Sequence, residues 1–103
     1  RFFMPEFSSF FNAKMSDRKL SEEEVLQAIR FSISSEYEAI QIYEQIINST
    51  ENKLLKKVME DIVEEEKVHV GEFLRVLKEL YPDEEKFHKQ GAEEVEEMIK
   101  QKD

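Results

Sequence analysis

The 103-residue chain contains no cysteine and no tryptophan, and it has only two glycines and two prolines. The absence of cysteine excludes a disulfide framework, a cysteine-ligated zinc site and a cysteine nucleophile. So few turn-forming residues argue against a β-sandwich or a β-barrel, since both need many tight turns. No apolar run approaches the length of a membrane span, and the start of the chain lacks the layout of a signal peptide.

The composition instead indicates a small, acidic, helical domain. The formal net charge is −9, with 38% charged and 40% hydrophobic residues. An acidic chain without a visible basic patch disfavours a nucleic-acid binder and suits the gathering of cations. The abundance of Glu, Lys and Leu is typical of helices. Because a chain this short buries only a modest share of its surface, we expect partners to complete its core.

The first residues differ in composition from the rest of the chain. Five of the eight phenylalanines fall among the first 11 residues. We interpret residues 1–20 as a Phe-rich N-terminal arm or leader, the arm packing on a neighbour, with a docking peptide for a larger assembly as the alternative. Residues 21–103 are the predicted helical domain.

Capping and turn residues predict where the helices begin and end. Ser21 and Glu24 make a capping box, so the first helix is predicted over about 21–48. The polar cluster at 48–52 marks a turn, and the second helix is predicted over about 51–80, ending before Pro82. A weaker third helix is predicted over about 91–101, after Gly91. With a loop of a few residues, the first two helices should form an antiparallel hairpin.

Apolar residues recur three and four positions apart along both long helices, as in a packed helical seam. In the second helix this seam is Leu55, Val58, Ile62, Glu66, His69, Phe73, Val76 and Leu80. Glu36 interrupts the seam of the first helix, and Glu66 and His69 interrupt that of the second. A buried carboxylate is costly unless it is neutralised or paired, so these residues indicate a site. The alternative is a satisfied core histidine flanked by acids.

Helical geometry brings these three side chains to one level. Glu66 and His69 form Glu-x-x-His, so both can reach the same ion. Glu36 lies 13 residues before Ser49 and Glu66 lies 17 after it, so their heights in an antiparallel hairpin differ by only ~6 Å. Two chains related by a two-fold axis would supply four carboxylates and two imidazoles, which is the ligand set of the ferritin-like di-iron bundle.

The sequence therefore predicts an all-α fold in which two hairpins, each with a short C-terminal helix, dimerise into a ferritin-like four-helix bundle. The oxygen-rich ligands suit iron or manganese, and zinc could also bind. Tyr43, seven residues after Glu36, is predicted either to hydrogen-bond a metal ligand or to be an amphipathic core residue. Glu38 is predicted to be solvated or to line a route by which cations reach the site.

Two stretches, SSEYEAIQIYEQI around Glu36 and EEEKVHVGEFL around Glu66 and His69, resemble the encapsulated ferritins. The resemblance covers about residues 20–100 and implies a ferroxidase centre made by Glu36, Glu66 and His69 of two subunits. It also implies a decameric ring of five dimers held inside an encapsulin nanocompartment in the cytoplasm. The family's Tyr near the centre matches Tyr43. Of its two acidic access residues, one matches Glu38 and the other is Ser35 here.

Three functions are compatible with these observations. The first is a ferroxidase that oxidises Fe(II) to Fe(III) at a di-iron centre, where zinc, manganese or calcium could substitute, and so feeds iron storage in the encapsulin shell. The second is a helical interaction module without redox activity. The third is a rubrerythrin-like peroxide reductase, which the lack of rubredoxin-type cysteines disfavours.

Overall fold

The computed structural model describes residues 18–101 and contains three helices. They are α1 (Glu22–Ser49), α2 (Lys53–Leu80) and α3 (Pro82–Gln101). Tyr81, directly after the end of α2, donates its hydroxyl to the backbone carbonyl of Glu22 at the start of α1, so the two helices run in opposite directions. The predicted antiparallel hairpin is therefore confirmed. The predicted Phe-rich arm falls almost wholly outside the described residues.

Side-chain caps begin both helices of the hairpin. The hydroxyl of Ser21 accepts the backbone N–H of Glu24 at 3.2 Å, and the Glu24 carboxylate accepts the N–H of Ser21 at 3.0 Å. The Arg18 guanidinium donates to both oxygens of that carboxylate at 2.8 Å. Asn52 begins α2 by accepting the N–H of Leu55 at 2.9 Å. These bonds satisfy backbone donors that a helix start leaves without a partner, and the predicted capping box is confirmed.

The third helix is longer than the sequence analysis predicts. It begins at Pro82 and not at about residue 91, and Gly91 lies inside it. Proline suits the first position of a helix because its φ is already helical and its missing N–H is not needed there. Three acids follow in the first turn and stabilise the helix by their interaction with the positive end of its dipole; they are Asp83, Glu84 and Glu85. The Pro82 that ends α2 therefore also begins α3.

The core of one chain is thin. Five hydrophobic side chains are buried in the described residues, and none falls below 2% exposure; they are Ile29, Ile40, Val63, Val70 and Leu77. The Cα radius of gyration is 17.7 Å, whereas a compact chain of this length would have one of about 13 Å. No helix in residues 18–101 is both long and apolar enough to cross a bilayer. The hairpin alone thus leaves much apolar surface uncovered.

Candidate metal centre

Three ionisable side chains meet halfway along the hairpin. Glu36 comes from the middle of α1, and Glu66 and His69 come from adjacent turns of α2. One ligand atom from each lies within 4.8 Å of the other two. Across residues 18–101, this is the one cluster of three or more His, Asp or Glu side chains with that spacing. The structure thus brings together the three residues that the sequence analysis singles out as ligands.

The imidazole of His69 lies next to both carboxylates. Its Nδ1 is 3.3 Å from Oε1 of Glu66 and 3.5 Å from Oε2 of Glu36. The contact with Glu66 spans one helical turn, whereas that with Glu36 joins the two helices. A proton on Nδ1 can be donated to either carboxylate. The cluster is therefore a small polar network inside an apolar seam.

The three side chains differ in their exposure to solvent. The side chains of Glu36 and Glu66 are 19% and 18% exposed, whereas that of His69 is 47% exposed. The carboxylates therefore lie between the helices, and the imidazole lies at the edge of the hairpin. An ion held by all three would face that edge, where further ligands from a second molecule could reach it.

The close approach of the three side chains changes the pKa of Glu36 and of His69. The hydrogen bond with Glu66 raises the pKa of Glu36, and burial and the negative charge of Glu66 raise it further. Attraction to His69 opposes these effects without overcoming them. For His69, burial lowers the pKa, but the hydrogen bond to Glu66 and the charges of Glu36 and Glu66 outweigh it, so the pKa of the imidazole is raised. Without a metal ion, Glu36 and His69 therefore hold their protons more tightly than usual. A cation that binds the cluster would displace those protons.

The donor set fits a hard or borderline divalent cation. Each chain offers carboxylate oxygens and one imidazole nitrogen within reach of a single point. Oxygen-rich sites with imidazole are typical of iron and manganese, and carboxylate oxygens also suit calcium. Since a cation competes with the protons of these groups, its affinity should depend on pH.

The other predicted site residues lie around this cluster. Tyr43 is half-buried and packs against the core cluster of Ile40, Val63 and Val70. No hydrogen bond within the described residues joins its hydroxyl to the three clustered side chains, so its role beside a ligand stays a prediction. Glu38 is exposed, and two residues along a helix turn its side chain by ~200° from Glu36. Its role in cation access also stays a prediction.

The face of α2 that carries His69 is apolar and exposed to solvent. We call this face the site edge. It consists of Leu55, Val58, His69, Val76 and Leu80. Its four apolar residues are 40% to 54% exposed in one chain. All four belong to the predicted apolar seam, yet the buried side chains of α2 lie one position further along the chain, at Val63, Val70 and Leu77. A surface this apolar beside a polar cluster is typical of an interface.

Comparison with known proteins gives consistent matches. The family model described as Rubrerythrin matches residues 27–102. Among solved structures, the encapsulated ferritin domain from Pyrococcus furiosus is similar, with a TM-score of 0.74 and 38% sequence identity. That match covers 79% of this chain and 83% of the other.

Two curated proteins are also similar in sequence. The ferritin-like-encapsulin shell fusion protein of Pyrococcus furiosus is 38% identical over 82 residues, which is 80% of this chain. The encapsulin nanocompartment cargo protein EncC of Myxococcus xanthus is 28% identical over 90 residues, which is 87% of this chain. The matched region spans 24% of the fusion protein's length and 68% of the cargo protein's length.

Proposed function

The chain belongs to the rubrerythrin family and to the encapsulated ferritins, and from this premise we propose that it is a ferroxidase. Fe(II) is the substrate, and Glu36, Glu66 and His69 of two chains hold it. The observation that carries this proposal is the convergence of three ligand atoms within 4.8 Å of one another. The predicted division into an arm at residues 1–20 and a ferritin-like domain at residues 21–103 is part of the same proposal.

A second copy of the chain completes the centre. One chain supplies two carboxylates and one imidazole, which is too few ligands for two iron ions. The half-exposed imidazole of His69 lies on the site edge, between the apolar residues Val58 and Val76. A two-fold axis through this edge would bring two sets of ligands together and cover the apolar surface at the same time. The proposed homodimer is thus a four-helix bundle, and the family resemblance extends it to a decameric ring.

The side chains have separate tasks in this proposal. Glu36, whose pKa is raised by the hydrogen bond with Glu66, gives up its proton when the ions bind. The carboxylates of Glu36 and Glu66 then neutralise the incoming ions. The imidazole of His69 fixes their position at the edge of the hairpin. Two Fe(II) ions give one electron each to dioxygen, which takes up two protons and leaves as hydrogen peroxide; reduction to two water molecules needs four Fe(II) ions and four protons. No base or nucleophile from the protein is needed, because the redox step belongs to the iron.

An encapsulin shell is the proposed partner. The two curated relatives are named as a fusion with an encapsulin shell and as an encapsulin cargo protein. We place this chain by analogy inside such a nanocompartment in the cytoplasm, where the shell would store the Fe(III) product. Co-expression with the shell protein and recovery of this chain inside purified shells would test that assignment.

An anaerobic Fe(II) titration followed by a pulse of oxygen tests the activity. We expect saturable formation of Fe(III), measured by its absorbance, and its loss in the variant Glu66→Ala. The variant Glu64→Gln is the control, because Glu64 is an exposed acid on the same helix outside the cluster. Background oxidation in every variant would favour a helical interaction module without redox activity. Faster oxidation by hydrogen peroxide than by oxygen would favour the rubrerythrin-like peroxide reductase.

A further inference from the structure

Two side-chain contacts join the start of α3 to the first half of α1, and we call them the elbow links. In the first, Arg30 donates through Nε and Nη2 to the two carboxylate oxygens of Glu84, at 3.0 and 2.8 Å. In the second, the hydroxyl of Tyr81 donates to the backbone carbonyl of Glu22 at 2.9 Å. Each link joins two residues that are more than 50 positions apart in the sequence.

Little else holds α3 in its direction. None of its side chains is buried, and its apolar residues Phe87, Val95 and Met98 are more than half exposed. One residue, Tyr81, separates α2 from α3, and its backbone angles of −135° and 68° are not helical. Rotation about a single non-helical residue could turn the whole of α3, so the contacts near this residue decide its direction.

We propose that the elbow links set the angle at which α3 leaves the hairpin and hold α3 in that direction. We call this pair of contacts, in this role, the brace. The bidentate geometry of Arg30 and Glu84 gives this pair directional specificity that a lysine could not supply. Glu84 is 22% exposed and Arg30 is 52% exposed, so salt weakens the pair.

The brace is independent of the metal centre. Arg30 and Glu36 are six residues apart on α1, and helical geometry puts them ~9 Å apart along the axis. Neither Arg30 nor Glu84 belongs to the cluster of ligands. Changes at the elbow should therefore redirect α3 without changing the affinity of the centre for a metal ion.

Distances between two spin labels test this inference. Because the chain lacks cysteine, the substitutions Gln41→Cys on α1 and Lys100→Cys on α3 introduce two labelling sites. Labelled chains diluted with unlabelled chains report the distance within one molecule. We expect a narrow distribution in the parent, a broader or shifted one in Glu84→Arg, and recovery in the charge-swapped Arg30→Glu/Glu84→Arg. High salt should broaden the parent distribution in the same way.

A matched control is the pair formed by Arg75 and Glu79, which lies within α2 at 3.0 Å. Glu79→Arg makes the same change of charge at an ion pair that does not touch α3, and it should leave the label distances unchanged. An unchanged distribution in Glu84→Arg, or failure of the charge swap to restore it, would overturn the proposal. Circular dichroism checks that the hairpin stays folded. Anaerobic Co(II) titration should give the same affinity in parent and Glu84→Arg, and a loss of affinity would refute the independence of the two sites.

Discussion

Nδ1 of His69 lies 3.5 Å from Oε2 of Glu36, although the two residues belong to different helices. This contact depends on the register of the hairpin. A slip of one turn would move the helices by ~5.4 Å relative to each other and separate the two atoms. The candidate centre and the packing of the hairpin are therefore consequences of the same register.

Replacing Glu36 by Gln should weaken metal binding. The change keeps the size of the side chain but removes one negatively charged ligand from the centre. Loss of groups that merely support a ligand lowers metal affinity 10- to 100-fold, so loss of this carboxylate should cost at least tenfold. Anaerobic calorimetric titration with Fe(II) measures the dissociation constant. Glu64→Gln is the control, because Glu64 is exposed and lies outside the cluster; equal affinities in the two variants would contradict the assignment.

The same substitution should stabilise the metal-free protein at neutral pH. The raised pKa of Glu36 means that the folded state binds this proton more tightly than the unfolded state does. Its contribution to stability is fully present below the unfolded pKa of about 4.5 and is lost as the pH rises through the raised, folded pKa. His69 has a raised pKa as well, so its contribution is present below about 6.5 and is also lost at higher pH.

Urea unfolding in the presence of a chelator measures this effect. At pH 8 we expect the free energy of unfolding of Glu36→Gln to exceed that of the parent by about 1 kcal/mol or less, because solvent still reaches both carboxylates and screens their repulsion. The difference should shrink as the pH approaches 4.5. A variant that is less stable than the parent at pH 8 would show that attraction to His69, and not repulsion from Glu66, dominates at Glu36.

Removal of the α1 cap should destabilise the hairpin. Ser21→Ala leaves the N–H of Glu24 without its side-chain acceptor, and loss of such a cap costs about 1 kcal/mol. Ser34→Ala is the control, since Ser34 is an exposed residue inside α1 and alanine is the better helix former there. Thermal unfolding by circular dichroism should show a lower midpoint for Ser21→Ala only, and equal midpoints in both variants would refute the role of the cap.

The part of the fold that the sequence predicts is the part that depends on short local patterns, such as helix caps. The starts of α1 and α2 depend on Ser21 and Asn52, whose side chains bond to backbone groups three residues away. The start of α3 does not follow from the sequence pattern, because Pro82 marks the end of one helix and here also begins the next. The contact of Arg30 with Glu84 depends on the backbone angles at Tyr81, and no short sequence pattern reports those angles.

The candidate centre is likewise predictable from the sequence only in part. Glu66 and His69 are visible from their spacing on one helix, and Glu36 from its distance to the turn. Their convergence follows because both helices are regular and the loop is short. The sequence could not show that His69 is half-exposed at the hairpin edge, since this depends on how far the two helices are rotated about their own axes. That rotation buries Val70 and exposes Val76, although Val76 belongs to the predicted apolar seam.

The exposure of Val76 leads to a prediction about assembly. Val76 lies seven residues after His69 and so on the same side of α2, and it is 43% exposed in one chain. If a second chain covers the site edge, Val76→Asp places an uncompensated carboxylate in an apolar interface. We expect the dissociation constant of the dimer to rise at least tenfold, measured by analytical ultracentrifugation, and saturable Fe(II) oxidation to fall with it.

Leu74→Asp is the matched control for this prediction. Leu74 is 41% exposed, but it lies ~160° around α2 from Val76 and therefore away from the site edge. The control should keep the dimer and the oxidation, because the same charge enters a surface that the two-fold pairing leaves open. Retention of the dimer in Val76→Asp would place the interface elsewhere, and the ligands of two chains could then not meet through this edge.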